Sequence, residues 1–315
     1  MPDHQKIVKA VIPAAGFGTR MLPATKAVPK EMLPVAGKPL IQYAVEEAAA
    51  SGIETVILVI RNHKSVLQAH FCRNPELESF LEDRQQKAAA DLIRHLAGLA
   101  EILYVEQERP LGLAHAISCA RPLIGEEAFA VLLPDVIMLS EVPVTRQLLS
   151  ARERHGGSVV AIREVESDDV ERHGIIRVDS DVVPPSARSV RIAALVEKPS
   201  AARAPSRLGV FGRYVLEPVV WNFISQVPPD PRGEMQLTDA LNLLCHESPL
   251  FGHFFEGSHY DAGDPLGYLK ANVEISLRDP RFRQPVLDYL SRLQPFAEDS
   301  ASCPPATLLG SSATR

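Results

Sequence analysis

A chain of 315 residues with 46% hydrophobic content can hold one large α/β domain or two small ones around a full core. Its formal net charge of −6 argues against general nucleic-acid binding, so a polyanionic substrate must be met by local basic residues. No apolar run approaches the roughly 20 residues that span a membrane. Residues 1–10 are too polar for a secretory signal. Cys72, Cys119, Cys245 and Cys303 lack metal or C-x-x-C spacing, so reduced thiols in a cytoplasmic protein are expected.

Taken in order, the chain opens with an apolar run, Ile7 to Ile12, that reads as a buried strand. A turn of small residues follows, Ala14-Ala15-Gly16-Phe17-Gly18-Thr19-Arg20. Without Cβ atoms in the way, backbone N–H groups of such a turn can approach a phosphate. Arg20 at its exit and Lys30 beyond it can neutralise phosphate oxygens, the first as a planar fork and the second as a point charge. A helix is expected over 39–50, a β-branched strand over 55–60 and a short helix over 64–71. The charged stretch 75–99 reads as one long or two broken exposed helices. Strand 101–105 delivers Gln107 and Gly112, and a helix is expected from 113 to 120. Strand 129–133 ends at Pro134-Asp135.

This alternation predicts a parallel sheet with helices on both faces. Ligands of such sheets bind beyond the carboxyl ends of the strands. The glycine loop, Gln107, Gly112 and Asp135 all fall there. The later pattern has shorter connections: strands over 159–163, 174–178, 191–196, 208–215 and 250–255, a surface loop at 182–189, and helices at 217–226, 236–245 and 265–277. The Ser-, Ala- and Pro-rich stretch 295–315 reads as a disordered tail.

Two carboxylates stand out. Asp135 lies at the tip of a buried strand, and Asp261 follows another. Mg²⁺ is commonly held by one or two carboxylates plus substrate phosphates and waters, although Asp at a strand end also serves as a turn or helix cap. Asp264 directly precedes Pro265 at a helix start and is the better N-cap, which leaves Asp261 for a metal. Glu197-Lys198-Pro199 offers an acceptor for sugar hydroxyls and a cation for a sugar phosphate, or else a surface turn. Gln107 carries the donor and acceptor that a pyrimidine edge requires, or is a solvated loop residue. His115 and His173 have no ligand partner at metal spacing and read as structural or solvated.

The loop contains no Walker string, and Met21 spoils the dinucleotide pattern. Gly16 to Lys30 instead fits the G-x-G-T-R…P-K signature of sugar nucleotidyltransferases. The longer string AVIPAAGFGTRMLPATKAVPKEMLP, followed by KPLIQYAVEEA, resembles the bacterial UTP–glucose-1-phosphate uridylyltransferases. LPDV, VEKP, GRYVL, QLTDAL and YDAGDPLGYL match in order, so the resemblance spans about 9–271. It implies a Rossmann-like three-layer nucleotidyltransferase fold with a mixed, mostly parallel central sheet. The nucleotide-binding part would be about 1–140 and the sugar-binding part about 141–294. It implies UTP and glucose 1-phosphate as substrates, Mg²⁺ as cofactor, no nucleic-acid or membrane partner, and a dimer or tetramer.

By the same resemblance Ala14, Ala15, Gly16, Gly18, Thr19 and Gly112 would bind the nucleotide, with Gln107 reading uracil. Arg20, Lys30 and Lys198 would be catalytic, Gly174, Glu197 and Lys198 would hold the sugar phosphate, and Asp135 and Asp261 the metal. The chain departs from the family pattern at Leu111, His173, Gly233 and through 151–205. Rival readings are the same chemistry on dTTP or on galactose or glucosamine 1-phosphate, a regulatory paralogue without turnover, and an NAD enzyme.

Overall fold

The computed structural model describes residues 6–61, 65–179 and 187–293. Most of the expected loop at 182–189, the stretch 295–315 and Cys303 lie outside the described residues.

The first half of the chain contains β1 (Lys9–Pro13), β2 (Pro34–Val35), β3 (Lys38–Pro39), α1 (Leu40–Ala50), β4 (Thr55–Ile60), α2 (Ser65–Phe71), α3 (Pro75–Asp83), α4 (Lys87–Ala97), β5 (Glu101–Glu106), α5 (Leu113–Cys119), α6 (Arg121–Ile124) and β6 (Phe129–Leu132). Next come β7 (Val136–Leu139), α7 (Val144–His155), β8 (Ser158–Glu164), β9 (Gly174–Val178), β10 (Ser189–Glu197), β11 (Leu208–Leu216) and α8 (Val220–Ile224). The chain continues with α9 (Leu237–Glu247), β12 (Leu250–Phe254), β13 (Ser258–Asp261), α10 (Pro265–Arg278) and α11 (Arg283–Arg292).

Nine strands form one sheet in the order β5-β4-β1-β6-β11-β8-β12-β10-β9. The four strands before residue 133 pair in parallel, each returned by a helical crossover. β11 turns the direction where it joins β6, and β8 restores it. Only β10 and β11 run against the rest, so the sheet is mixed and mostly parallel.

Strand alternation sorts the side chains into two layers. Val11, Ile57, Val59, Phe129, Val131, Val160 and Ile162 pack against α5, α8 and α9. Their neighbours Ala10, Ile12, Val56, Leu58, Ala130, Leu132, Val159 and Ala161 pack against α1, α2 and α7. A third cluster, built from Val35, Leu40, Ile137, Tyr260, Ala262, Ala271 and Ile275, packs α10 beside the small β7–β13 ribbon.

Several local expectations shift. The charged stretch 75–99 is two helices, because Gln85 takes a left-handed φ of 59° between them. The helix expected over 217–226 is only Val220–Ile224. Glu217 is held outside it, its N–H bonded to Ser158 Oγ and its carboxylate to Arg152. β7, α7, β13 and α11 have no counterpart in the sequence reading. Asp261 therefore ends a short strand of its own rather than trailing the strand at 250–254. No helix among the described residues is long and apolar enough to cross a membrane.

Candidate active site

The glycine loop leaves β1 and is pinned at both ends. Ala14 N–H donates to Val59 O at 2.7 Å, and Thr25 Oγ1 donates to Gly18 O at 2.8 Å. Gly18 takes φ 66°, and a Cβ there would lie 3.1 Å from Lys30 Cβ. The loop and Lys30 are thus packed together, although eleven residues of chain lie between Gly18 and Lys30. Ala14 and Ala15 are buried, whereas Gly16, Thr19 and Arg20 are exposed.

Lys30 Nζ forms an ion pair with Asp135 Oδ2 at 2.5 Å, both side chains being largely buried. Burial opposes either charge, but each partner's charge and hydrogen bond outweigh it. Lys30 is therefore held above the usual lysine range, and Asp135 below the usual carboxylate range.

The β7–β13 ribbon brings Asp261 to Asp135. Asp261 pairs in register with Val136, and Ala262 N–H donates to Asp135 O at 2.8 Å. Gly263 marks the point where charged groups converge. A Cβ on it would lie 2.9 Å from Asp261 Oδ1, 3.1 Å from Asp135 Oδ2 and 3.3 Å from Arg20 Nη2. Asp264 caps α10, its Oδ1 accepting from Gly267 N–H at 2.9 Å. That bond, aided by nearby Arg172 and Arg20 and opposed by burial, holds its carboxyl below the usual range.

Asp264 is thus the helix cap, as expected, while Asp261 Oδ1 accepts from Gly263 N–H at 2.8 Å. Arg172, which sequence reasoning missed, reaches both: its Nη2 lies 3.3 Å from Asp261 Oδ2 and 2.6 Å from Asp264 Oδ2. Among the described residues no three His, Cys, Asp or Glu side chains form a metal cluster. Two converging carboxylate oxygens fit a hard cation that takes its remaining ligands from phosphates and water.

A cleft of about 480 Å³ opens from this point, lined by Arg20, Asp135, Gly174, Glu197, Lys198 and Asp261 among others. Glu197 faces Gly174 across the β9–β10 register. Glu197 Oε2 accepts from Thr238 Oγ1 at 2.7 Å, and Oε1 lies 2.8 Å from Lys198 Nζ. Lys198 holds a left-handed φ of 44°, a costly conformation for a side-chain-bearing residue. His173 also lines the cleft, its ring centroid 4.6 Å from that of Phe211 with the planes tilted by 36°, and burial pushes its imidazole down. Thr238 lies within the string QLTDAL, but its role there has no spacing signal.

Gln107 and residues 14–19 of the glycine loop lie outside the lining of the cleft, which Arg20 alone of the loop enters. Gln107 is 4% exposed and follows β5 directly. Its Nε2 donates to Gly112 O at 3.2 Å and meets His115 Nδ1 at 2.8 Å. Because Gln107 Nε2 can only donate, His115 Nδ1 is the acceptor in this contact, and burial lowers the His115 pKa. His115 is therefore structural in a specific sense: it occupies the amide donor of Gln107 and leaves Oε1 as the available group. Gly112 has φ 92°, and a Cβ there would stand 2.7 Å from Met235 N and O, so only glycine fits.

The sequence profile of the nucleotidyl transferase family matches residues 9–277. The chain is 45% identical over 287 residues to the UTP–glucose-1-phosphate uridylyltransferase YngB of Bacillus subtilis (strain 168), covering 91% of this chain and 95% of that one. A UTP-bound UGPase from Acinetobacter baumannii superposes with a TM-score of 0.82 at 36% identity, covering 92% of this chain and all of that one. A UDP-glucose pyrophosphorylase complexed with UDP-glucose gives 0.79 at 36% identity, covering 87% and 100%. The chain belongs to the nucleotidyl transferase family, and within it to the UTP–glucose-1-phosphate uridylyltransferases.

Proposed function

We propose that the chain transfers the uridylyl group of UTP to α-D-glucose 1-phosphate, giving UDP-glucose and pyrophosphate. The observation that carries this reading is the convergence of Arg20, Asp135 and Asp261 at Gly263, in one cleft with Gly174, Glu197 and Lys198. A polyphosphate and a sugar phosphate can meet there.

The attacking oxygen belongs to the sugar phosphate and is already an anion, so no general base is needed. The protein's work is positioning and charge stabilisation at the α-phosphorus. Backbone groups of Ala14, Ala15, Gly16, Gly18 and Thr19 cradle the nucleotide, and Gly112 brings the backbone against the base. Gln107 Oε1 accepts from the uracil N3–H, which a cytosine ring nitrogen does not offer. Arg20 and Lys30 meet the phosphates. Glu197, set by Thr238, accepts from sugar hydroxyls beside the Gly174 backbone, and Lys198 aims the sugar phosphate.

Asp135 and Asp261 would hold Mg²⁺. When bound, that ion withdraws charge from the phosphates and from the departing pyrophosphate. Lys30 is the charge Asp135 must share, so metal and lysine balance one another across the same carboxylate. The charge of UTP and glucose 1-phosphate, which keeps them from crossing membranes unaided, supports a cytoplasmic site for the proposed reaction.

The test is pyrophosphate release across a grid of nucleoside triphosphates and sugar 1-phosphates. UTP with glucose 1-phosphate should give the highest kcat/KM, EDTA should abolish it and Mg²⁺ restore it. A higher kcat/KM with dTTP, or with galactose or glucosamine 1-phosphate, would reassign the substrate. Absence of turnover with every pair would leave a binding protein.

A further inference from the structure

Beneath the site lies a charged network that phosphate chemistry does not require. Arg213 is 1% exposed, on β11 between buried Phe211 and Val215. Taking a guanidinium out of water is costly, and a buried ion pair seldom improves on apolar packing for stability alone. Yet every N–H of this side chain is used. Nε and Nη2 donate to Glu47 on α1, with Nη2–Oε2 at 2.7 Å. Nη1 donates to Leu133 O at 2.9 Å and to Gly212 O at 3.3 Å. Nη2 also donates to Val136 O at 2.9 Å. Glu47 Oε1 in turn accepts from the N–H and hydroxyl of Thr145 on α7, at 3.0 and 2.7 Å.

The two carbonyls that matter are those of Leu133 and Val136, because they flank Pro134-Asp135. One planar fork spans the turn. The Asp135 carbonyl itself accepts from Ala262 N–H. We infer that Arg213, held in place by Glu47, is a positioning residue that fixes the Asp135 turn so that its carboxylate faces Lys30, Arg20 and Asp261. The inference rests on the reading of Asp135 as a carboxylate of the reacting site. A lysine cannot substitute, since an ammonium gathers its three donors on one atom and cannot span both carbonyls and Glu47.

The test compares Arg213→Lys, the double variant Arg213→Met/Glu47→Gln, and Asp135→Asn with wild type. The double variant removes both buried charges and lets the new amide keep the Thr145 bonds. Four quantities are read: melting temperature, kcat against KM for UTP, the Mg²⁺ concentration for half-maximal turnover, and Mn²⁺ affinity in the presence of UTP by electron paramagnetic resonance. Both Arg213 variants should weaken Mn²⁺ affinity and raise the Mg²⁺ requirement by about 10–100-fold, the scale for losing a partner that orients a metal ligand. They should lower kcat and leave the KM for UTP within about twofold, a split that destabilisation alone does not produce.

If they lower only the melting temperature, the ion pair is structural and the inference is wrong. If Asp135→Asn alters metal binding and the Arg213 variants do not, only the positioning role falls. If Asp135→Asn itself leaves metal binding and turnover intact, the reading of the site falls and takes this inference with it. Arg213→Lys retains the charge opposite Glu47 and decides the matter should the double variant not fold.

Discussion

The two ends of the cleft are built by different means. At the proposed nucleotide end the glycine loop and Gln107 follow parallel strands β1 and β5 directly, and Asp135 lies three residues beyond β6. Their positions are set by sheet register and by backbone bonds such as Ala14 to Val59 and Gln107 N–H to Ile60 O. At the proposed sugar end the residues come from four segments: Arg172 with Gly174, then Glu197, Thr238 and Asp261. Strand pairings set Glu197 opposite Gly174 and Asp261 opposite Val136, and side-chain bonds bring in Thr238 and Arg172. A site fixed by backbone loses function chiefly when a charged or base-reading group is deleted. A site fixed by side chains can be detuned gradually, one hydrogen bond at a time.

That contrast can be broken experimentally. Arg20→Ala and Lys30→Ala should each cut kcat by about 10²–10³-fold, the scale of one charge-stabilising donor. Steady-state turnover within a few-fold of wild type for both would remove the nucleotide end from the chemistry. Lys198→Ala should lower kcat by about 10²-fold through misaimed attack. Glu197→Gln should raise the KM for glucose 1-phosphate by about tenfold and spare that for UTP, with Thr238→Val a weaker copy of it. Equal changes in both KM values would make this strand end structural.

Gln107→Ala should reduce the UTP-to-CTP ratio of kcat/KM by about tenfold, because a buried amide left unpaired against the wrong base is what discriminates. An unchanged ratio would mean that uracil is read by backbone alone.

The smallest expected effect concerns stability. Burial and nearby arginines lower His253 to a pKa of about 4, and burial with Arg163 does the same to His259. His253 lies on β12 of the nine-stranded sheet and His259 on β13 of the small ribbon. Against an unfolded value near 6.5, the unfolded chain binds more protons between pH 6.5 and 4, so stability falls as pH drops through that window. His253→Asn should flatten the fall in melting temperature between pH 7 and 5 by a few degrees. An equal slope in both proteins would place the acid-sensitive groups elsewhere.

The same contrast explains what was legible in the sequence. The parallel strands and the loop are contiguous strings whose chemistry is local, so the β1 loop, Gln107 and Asp135 could be placed at one sheet edge from spacing alone. The Asp264 cap could be read because Pro265 follows it. Residues 136–157 and 258–261 gave no strand or helix signal, and their pairing is what sets Asp261 beside Asp135. Arg172, Thr238 and Arg213 act across 89, 41 and 166 residues of chain, respectively, on Asp261, Glu197 and Glu47. No local pattern encodes such contacts. Arg213 reads in sequence as an ordinary charge within a strand, and only its burial reveals the network.

The central claim is that the two halves of the chain meet chemically at Asp135 and Asp261. A double-mutant cycle tests it most directly, with turnover and the Mg²⁺ concentration for half-activity measured for Asp135→Asn, Asp261→Asn and the pair. If both carboxylates hold one ion, each single change should raise the Mg²⁺ requirement, and the double variant should be about as poor as the worse single. Multiplying losses, with only Asp135→Asn altering the Mg²⁺ requirement, would contradict the shared site and leave Asp261 as a turn residue.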